Sequence, residues 1–519
     1  MPGWRRCLTA VTLLAGLTAS AASGQTADPF VPLGSRLDRL VSWAQDAGAF
    51  AATLDPLVRP LRLSAVAHAL AAEDTTRLDA AGRRAVRDVA AEVARASGDR
   101  ALALELDMSG YRNGRRDSFR PGGAAGAGPA GGVWGMLSDG SFVAVVNPAF
   151  DNRLRDDPEF TGYVRPEIVG RMQTAYLAVA GRHATLAFGR MSRNWGPSLF
   201  EGLLVSPSAY ATDELSGSLT IGRFTLLSIA KRLNDDTALM GTPTNPFNRY
   251  FFAHRLGIRA GRTLWLDFTE AGIYGGQGQS WEPALSAPLD LALLSEFNER
   301  LHVNSLLGLD AAWQTGRVNL TASGMLDDIQ VDRGTLTDRR PAAYGFTVVA
   351  RTAVPDRPLH VALGYTRVSS LAYRNSVQPS FVYAEAGVGL ARNYSDYDQW
   401  LARLEWRPTP DWYAAFDVQV TRQGAGDFRQ PFPTDSVLAL PGEGFLMAPV
   451  SHLAGVRLTV VGTVAPGVEV RGETGTTTGL NGKAAAILSG TVAVTLDALT
   501  GRFGSPWRGV EAGALREWP

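Results

Sequence analysis

From Gly132 to its C-terminus this chain repeats one pattern, short segments in which apolar and polar residues alternate. Val318, Leu320 and Ala322 alternate with Arg317, Asn319, Thr321 and Ser323, and Leu359, Val361, Leu363 and Tyr365 with His360, Ala362, Gly364 and Thr366. Trp400, Ala402, Leu404 and Trp406 do the same against Leu401, Arg403, Glu405 and Arg407, as do Trp412, Ala414, Phe416, Val418 and Val420 against Tyr413, Ala415, Asp417, Gln419 and Thr421. A period of two places successive side chains on opposite faces of an extended strand, so each segment has one apolar and one polar face. An earlier segment, with Leu102, Leu104, Leu106 and Met108 set against Ala103, Glu105 and Asp107, reads the same way. Between it and the repeats, a Gly/Ala-rich stretch from about Arg120 to Gly132 reads as a loop.

The connections alternate as well. Very short ones recur at Gly181-Arg182, Gly222-Arg223, Gly261-Arg262, Thr315-Gly316, Pro355-Asp356, Pro408-Thr409-Pro410 and Gly501-Arg502. Long ones, of roughly 10 to 35 residues and rich in Pro, Asp, Asn and aromatics, separate them. Short turns on one rim and long loops on the other describe an antiparallel up-and-down barrel of the outer-membrane kind. Pairing the segments as hairpins gives roughly 16 to 18 strands, enough for an aqueous lumen unless something fills it. Trp406 and Trp412 flank one short turn, where an interfacial aromatic girdle would lie. The competing architecture is a soluble propeller or sandwich, which would turn the apolar faces inward; alternation alone does not separate the two.

The ends and the composition narrow the class. Arg5 and Arg6, an apolar run from Cys7 to Ala19 and the small residues Ala22-Ser23-Gly24 form a secretory signal over residues 1–24. Cleavage after Gly24 removes the single cysteine, so the exported chain has no disulfide. No later apolar run approaches the ~18 residues of a membrane helix. Lys+Arg and Asp+Glu are both 50, so no net field draws in nucleic acid. Arginine outnumbers lysine heavily, with only Lys231 and Lys483 present, and its planar fork suits carboxylates, including those of acidic sugars. One feature argues against the barrel: outer-membrane barrels commonly end in an aromatic residue that the barrel-assembly machinery reads, whereas here a terminal proline follows Trp518.

Residues 25–98 read as a small helical bundle and 99–519 as the barrel. Ser35 caps a segment with apolar face Leu37, Leu40, Val41 and Ala44; Ser64 caps a second with Val66, Ala67 and Leu70; a third carries Leu78, Ala81, Ala85, Val89 and Val93.

Nothing in the pattern is catalytic. The six histidines, His68, His183, His254, His302, His360 and His452, form no metal pair, and neither a Gly-x-Ser-x-Gly elbow nor a phosphate-cradling loop is present. No cofactor or metal is expected. Candidate ligand groups lie elsewhere. With Thr315-Gly316 as a hairpin turn, Asp310 sits opposite Thr321 and Asn304 opposite Asp327, all on the polar, lumenal face. The turn at Gly261-Arg262 sets His254-Arg255 across from Thr269-Glu270, with Tyr274 beyond. The stretch Arg190-Met191-Ser192-Arg193-Asn194-Trp195-Gly196-Pro197 follows an alternating segment (His183 to Arg190) as a long loop. Its arginines can clamp acidic sugar groups while the indole stacks on a pyranose; alternatively, Trp195 and Pro197 fold the loop into the lumen as a plug.

That stretch, running on through Gly202-Leu203-Leu204-Val205-Ser206, resembles the loop motif of the Wzi family of outer-membrane capsule attachment proteins. Phe251-Phe252-Ala253-His254-Arg255-Leu256, Glu270 with Tyr274-Gly275, Asn304 with Gly308-Leu309-Asp310, Asp327-Asp328-Ile329 and Gly364-Tyr365-Thr366 with Tyr373 are similar too, so the resemblance spans roughly Tyr163 to Gly424. Ser198 departs from the family's second glycine, and Pro207-Ser208 from its asparagine. The resemblance implies a mainly β fold: an 18-stranded barrel with a periplasmic N-terminal helical bundle. It also implies a lectin-like, non-catalytic role in binding and assembling capsular polysaccharide on the cell surface. The ligand set it suggests is Arg190, Arg193, Trp195, Gly196, Pro197, His254, Arg255, Glu270, Tyr274, Asn304, Asp310, Asp327 and Asp328. Partners would be extracellular polysaccharide, outer-membrane lipid and the assembly machinery. A porin-like channel for small solutes or oligosaccharides is the alternative.

Overall fold

The computed structural model describes residues 28–112, 125–157, 159–160, 162, 164, 169–234, 247–287, 292, 303–316, 318–328, 340–376, 379–438, 444–478, 482–499 and 501–503. The signal segment 1–24, His302, Ile329, Tyr163 and the terminal Trp518-Pro519 lie outside them. Among the described residues three α-helices come first: α1 (Arg36–Asp46), α2 (Leu63–Ala72) and α3 (Ala80–Ala96). A closed antiparallel barrel follows. Its strands are β1 (Arg100–Arg112), β2 (Ala125–Asp139), β3 (Phe142–Asp151), β4 (Gly170–Ala180), β5 (Ala184–Arg190) and β6 (Glu214–Ile221). They continue as β7 (Phe224–Leu233), β8 (Phe247–Ala260), β9 (Leu264–Gln277), β10 (Val303–Gln314), β11 (Val318–Asp328) and β12 (Ala343–Ala353). The last are β13 (Leu359–Val368), β14 (Tyr397–Thr409), β15 (Trp412–Gln423), β16 (Ser451–Ala465), β17 (Val468–Thr478) and β18 (Ala484–Asp497). Each strand pairs with its chain neighbour, and β18 closes on β1 from Ala103↔Asp497 to Arg112↔Leu488. Arg502–Phe503 adds a two-residue extension against β18.

The alternation resolves in favour of the membrane barrel. The apolar faces point outward: Leu106, Leu309, Leu363, Trp400 and Val420 are exposed, while Asp107, Asp310, Arg403 and Asp417 on the other face are buried. Outward aromatics form two belts. Trp313, Trp406, Trp412, Phe142 and Phe224 mark the short-turn rim. Phe346, Tyr365 and Trp400 pack on one another at the long-loop rim, with Tyr365 and Trp400 centroids 4.6 Å apart. A soluble sandwich would bury these rings, whereas a hydrocarbon slab flanked by headgroups stabilises them where they stand.

Three expectations are corrected. The Gly/Ala-rich stretch is strand from Ala125 onward, because its missing side chains let β2 run close to its neighbours: a Cβ on Gly131 would lie 2.8 Å from the Glu105 carbonyl oxygen. The hairpin register is shifted by two, so Asp310 faces Ser323 and Ala312 faces Thr321, and Asn304 does not meet Asp327. The Thr315 hydroxyl donates to the Val318 carbonyl and accepts from its amide, which widens the turn to four residues. An even shift keeps every side chain on its expected face. Finally, Ser35 caps α1 as expected, but α2 begins at Leu63 and its Ser64 amide donates to Asp28, while Asp79 caps α3.

The helices sit at the short-turn end. Arg36 reaches Asp411, Arg84 the Pro408 carbonyl, and Trp265 the Ala51 carbonyl, all beside short turns. The apolar stripe of Leu37, Leu40, Val41, Ala44, Val66, Val89 and Val93 packs into one cluster with Trp134, Val143 and Tyr176 of the barrel wall.

Candidate functional site

An 18-stranded barrel is wide enough for an aqueous lumen, and two long connections fill this one. The first joins β5 to β6 and carries the Trp195 stretch. It turns inward and pairs with the chain between α1 and α2, Val58 opposite Trp195 and Arg59 opposite Asn194. The Gly196 amide donates to the Leu57 carbonyl (2.8 Å) and the Trp195 amide to that of Val205 (2.9 Å). Gly196 has φ +146°, and a Cβ there would press on Gly202, so the sharp inward turn needs glycine. Trp195 is 3 % exposed, with the Arg255 guanidinium 5.9 Å from its ring. Of the two readings of this loop, the packing is that of the plug.

Its arginines engage the protein's own acids. Arg190 is bidentate to Asp213 (2.8 and 2.9 Å) and remains partly exposed. Arg193 bonds Glu214 (2.5 Å) and Ser216 (2.7 Å). Ser198, where the resemblance leads one to expect glycine, accepts from Arg351.

Barrel glycines seat the plug. Leu204 lies against Gly308, where a Cβ would come within 2.5 Å of its Cδ1; Leu203 lies against Gly345 and Phe200 with Leu199 against Gly364. These glycines are lumenal, so their lack of side chain becomes the socket for an apolar side chain from the loop.

The second connection, between β13 and β14, lies on top of the first. The Tyr373 and Tyr383 hydroxyls donate to the Leu203 and Leu204 carbonyls (3.0 and 2.8 Å). Burial drives both phenols well above the ordinary tyrosine range, so they stay protonated donors. Several expected ligand residues anchor this connection instead. Asn304 donates to the Phe381 carbonyl (3.0 Å) and Asp327 accepts from the Tyr373 amide (2.6 Å). Fully buried Arg249 donates to the Val382 and Ala384 carbonyls. Sequence reading missed Arg249; an arginine at a lumenal position of a strand was the available signal.

The expected facing of His254-Arg255 and Thr269-Glu270 is present, with His254 opposite Glu270 and Arg255 opposite Thr269. Arg255, however, pairs with Asp267 (3.1 Å) and Asp310, while Glu270 accepts from the Ala292 amide (2.9 Å). Tyr274 stacks on Tyr250 at 5.1 Å. His254, Arg255, Glu270, Tyr274, Asn304 and Asp310 are all buried, Pro197 with them, and Asp328 is exposed.

A buried acid–histidine group lies at the other end. Asp46 of α1, His360 of β13 and Glu405 of β14 offer ligand atoms within 4.8 Å of one another, a grouping their chain spacing gave no sign of. Arg351 occupies its centre, 2.7 Å from both carboxylates, and Trp43 stacks on His360 at 3.5 Å. A guanidinium at that point repels a cation, so the group is an ion-pair network rather than a metal site.

Above the plug, the long-loop mouth carries aromatics next to arginines. Arg171 lies 4.2 Å over the Tyr210 ring, whose hydroxyl bonds Asp157, and Phe160 meets that ring edge-on. Arg429 lies over half-buried Tyr394 and over Phe428, which is itself fully buried in the plug, and exposed Trp281 is held by a bond from its Nε1 to Ser286 (2.6 Å). Flat rings with polar edges beside guanidinium forks suit pyranose faces and acidic substituents.

This architecture has a solved counterpart: Wzi, an Escherichia coli outer-membrane protein described as involved in group 1 capsule assembly and as a carbohydrate-binding β-barrel. It matches over 90 % of this chain and 99 % of its own, with TM-score 0.64 and 14 % identity. The chain has the fold of Wzi. The resemblance read from the sequence thus holds at the level of architecture, helical segment included. OccK3 of Pseudomonas aeruginosa matches 77 % of the chain and 96 % of its own at TM-score 0.40 and 13 % identity. No family model and no curated protein sequence matches.

Proposed function

We propose that this protein is an outer-membrane barrel that holds exported polysaccharide at the outer cell surface, in a lectin-like manner and without catalysis. The observation that carries this reading is the lumen: two connections fold into it and lock on each other through Tyr373, Tyr383, Leu203 and Leu204. A barrel plugged in this way serves its mouth, where Arg171–Tyr210, Trp281 and Arg190 stand accessible for sugars. The buried expected ligands, from Trp195 to Asp310, and half-buried Asp327 then act by fixing the shape of that mouth. Wzi, which shares the fold, is described as carbohydrate-binding and as taking part in capsule assembly, in keeping with this role. The helices at the short-turn end would face the periplasm, and the outward apolar band would meet outer-membrane lipid.

The test is the partition of polysaccharide between cells and medium after deletion of the gene. Unchanged total polymer that shifts into the medium, restored by the wild-type gene but not by Trp281→Ala with Tyr210→Ala, supports an anchor. Unaffected attachment with reduced uptake of small solutes overturns it in favour of the porin-like channel.

A further inference from the structure

A cavity of about 40 Å³ lies between α1 and the lumenal wall at the short-turn end. Five arginines line it, Arg39, Arg59, Arg351, Arg403 and Arg407, against two acids, Asp38 and Glu405. Three of the five have their carboxylate: Arg59 pairs with Asp38 (2.8 Å), Arg351 with Asp46 and Glu405 (2.7 Å each), and Arg403 with Asp417 (2.6 Å). Both lining acids are therefore already engaged, and Glu405 also accepts from Tyr413 (2.8 Å).

Arg39 and Arg407 differ. Among the described residues neither has a carboxylate within 4.0 Å, and each uses a terminal nitrogen on a carbonyl, Arg39 on Gly34 (2.7 Å) and Arg407 on Pro410 (3.2 Å). The Nε of each is buried with no hydrogen-bond partner among those residues, and Arg407 is only 7 % exposed. Burial first, with Arg471 and Arg36 adding to it against the pull of Glu469, holds the Arg39 guanidinium below its ordinary value. A half-buried and a buried cation face one cavity, with Glu469 acting on Arg39 and Asp88 on Arg407 only from beyond ion-pair distance, and this is a costly arrangement unless an anion joins them.

We propose that this cavity binds one small oxyanion of the phosphate or sulfate type between Arg39 and Arg407, joining the helical segment to the barrel wall. The guanidinium forks match two oxygens of such an ion. The volume, room for roughly three waters, is too small for a pyranose, so the site is independent of the polysaccharide reading.

Equilibrium dialysis of the purified full chain in detergent, against radiolabelled phosphate in buffer free of other oxyanions, tests it. One phosphate should bind per chain, sulfate should displace it, and Arg407→Gln and Arg39→Gln should each weaken binding by more than about ten-fold, as loss of a charge-assisted bond requires. Arg77→Gln, at an exposed arginine paired with Asp74, should leave binding unchanged. Circular dichroism checks assembly; should Arg407→Gln fail to fold, Arg39→Gln decides. Absence of saturable phosphate and sulfate binding at millimolar concentration, binding that survives in the folded variants, or chloride bound in preference to both oxyanions overturns the proposal.

Discussion

The Arg351 guanidinium, on a barrel strand, lies 2.7 Å from the carboxylate of Asp46 in the last turn of α1. Burial alone would push this carboxyl up, but Arg351, with His360 3.5 Å away adding to it, pulls harder and holds it down at about 2, against 3.8 ordinarily. A depressed folded-state value means that the stabilisation is complete above about pH 4 and is lost as pH falls through about 2. Converted, the shift is about 2 kcal/mol of docking energy for the helical segment. Hydrogen exchange of residues 36–46 between pH 5 and 2 should show protection falling over that window in the wild type. In Asp46→Asn protection should be low throughout and flat with pH, whereas a wild-type profile in the variant would dissociate Asp46 from docking.

A second prediction concerns the sockets. Gly308 and Gly364 receive Leu204 and Phe200 from the inward-folded connection. Valine at either place puts branched carbon where the loop's side chain now packs, and overpacking of this kind costs about 1–3 kcal/mol. The barrel ladder itself does not depend on the lumenal side chain at these positions. Planar-bilayer conductance should therefore be low for the wild type and higher, with frequent openings, for Gly308→Val and Gly364→Val. Equal conductance would show that these contacts do not hold the plug.

The barrel was legible because its cause is local: Leu320 and Asn319 alternate in sequence and point to lipid and lumen in space. The site was less so. Trp195 was conspicuous, but its partner Val58 lies in a different part of the chain, and nothing in either segment announces the pairing. The register of the Asn304–Asp327 hairpin was missed by two because a threonine side chain, rather than Thr315-Gly316 alone, shapes the turn. Asp46, His360 and Glu405 meet only once the helices dock, and the two cavity arginines without an ion-pair partner become visible only when the other three have been matched to theirs. Polar residues at lumenal positions show which way they face; their partners come from loops whose path no period encodes.

Asn304 tests the second connection. Its side-chain amide donates to the Phe381 carbonyl in a buried setting. Asn304→Ala leaves that carbonyl unsatisfied, at about 1–3 kcal/mol. Limited proteolysis should cut residues 379–391 faster in the variant while the barrel resists, since the ladder is untouched. Unchanged cleavage would mean that Arg249, which holds the neighbouring Val382 and Ala384 carbonyls, suffices alone.

Trp195 links the two ends of the molecule. Its backbone pairs with Val58 below and Val205 above, and its ring belongs to the buried cluster that includes Leu203, Leu204 and Met325, with Arg255 nearby. Trp195→Ala deletes a large buried ring, a change that costs about 3–5 kcal/mol where the surroundings cannot collapse. The rigid barrel wall on one side limits such collapse, so the loss should fall on the loop and on the Leu57–Arg59 segment it pairs with. Hydrogen exchange should therefore rise together at residues 57–59 and 194–205, with the strand amides of β10 and β11 unchanged. Trp195→Phe, which keeps part of the ring volume, should recover most of the protection. Exchange confined to the loop, with residues 57–59 unaffected, would show that the helical segment and the plug are held independently and that Trp195 is not the joint between them.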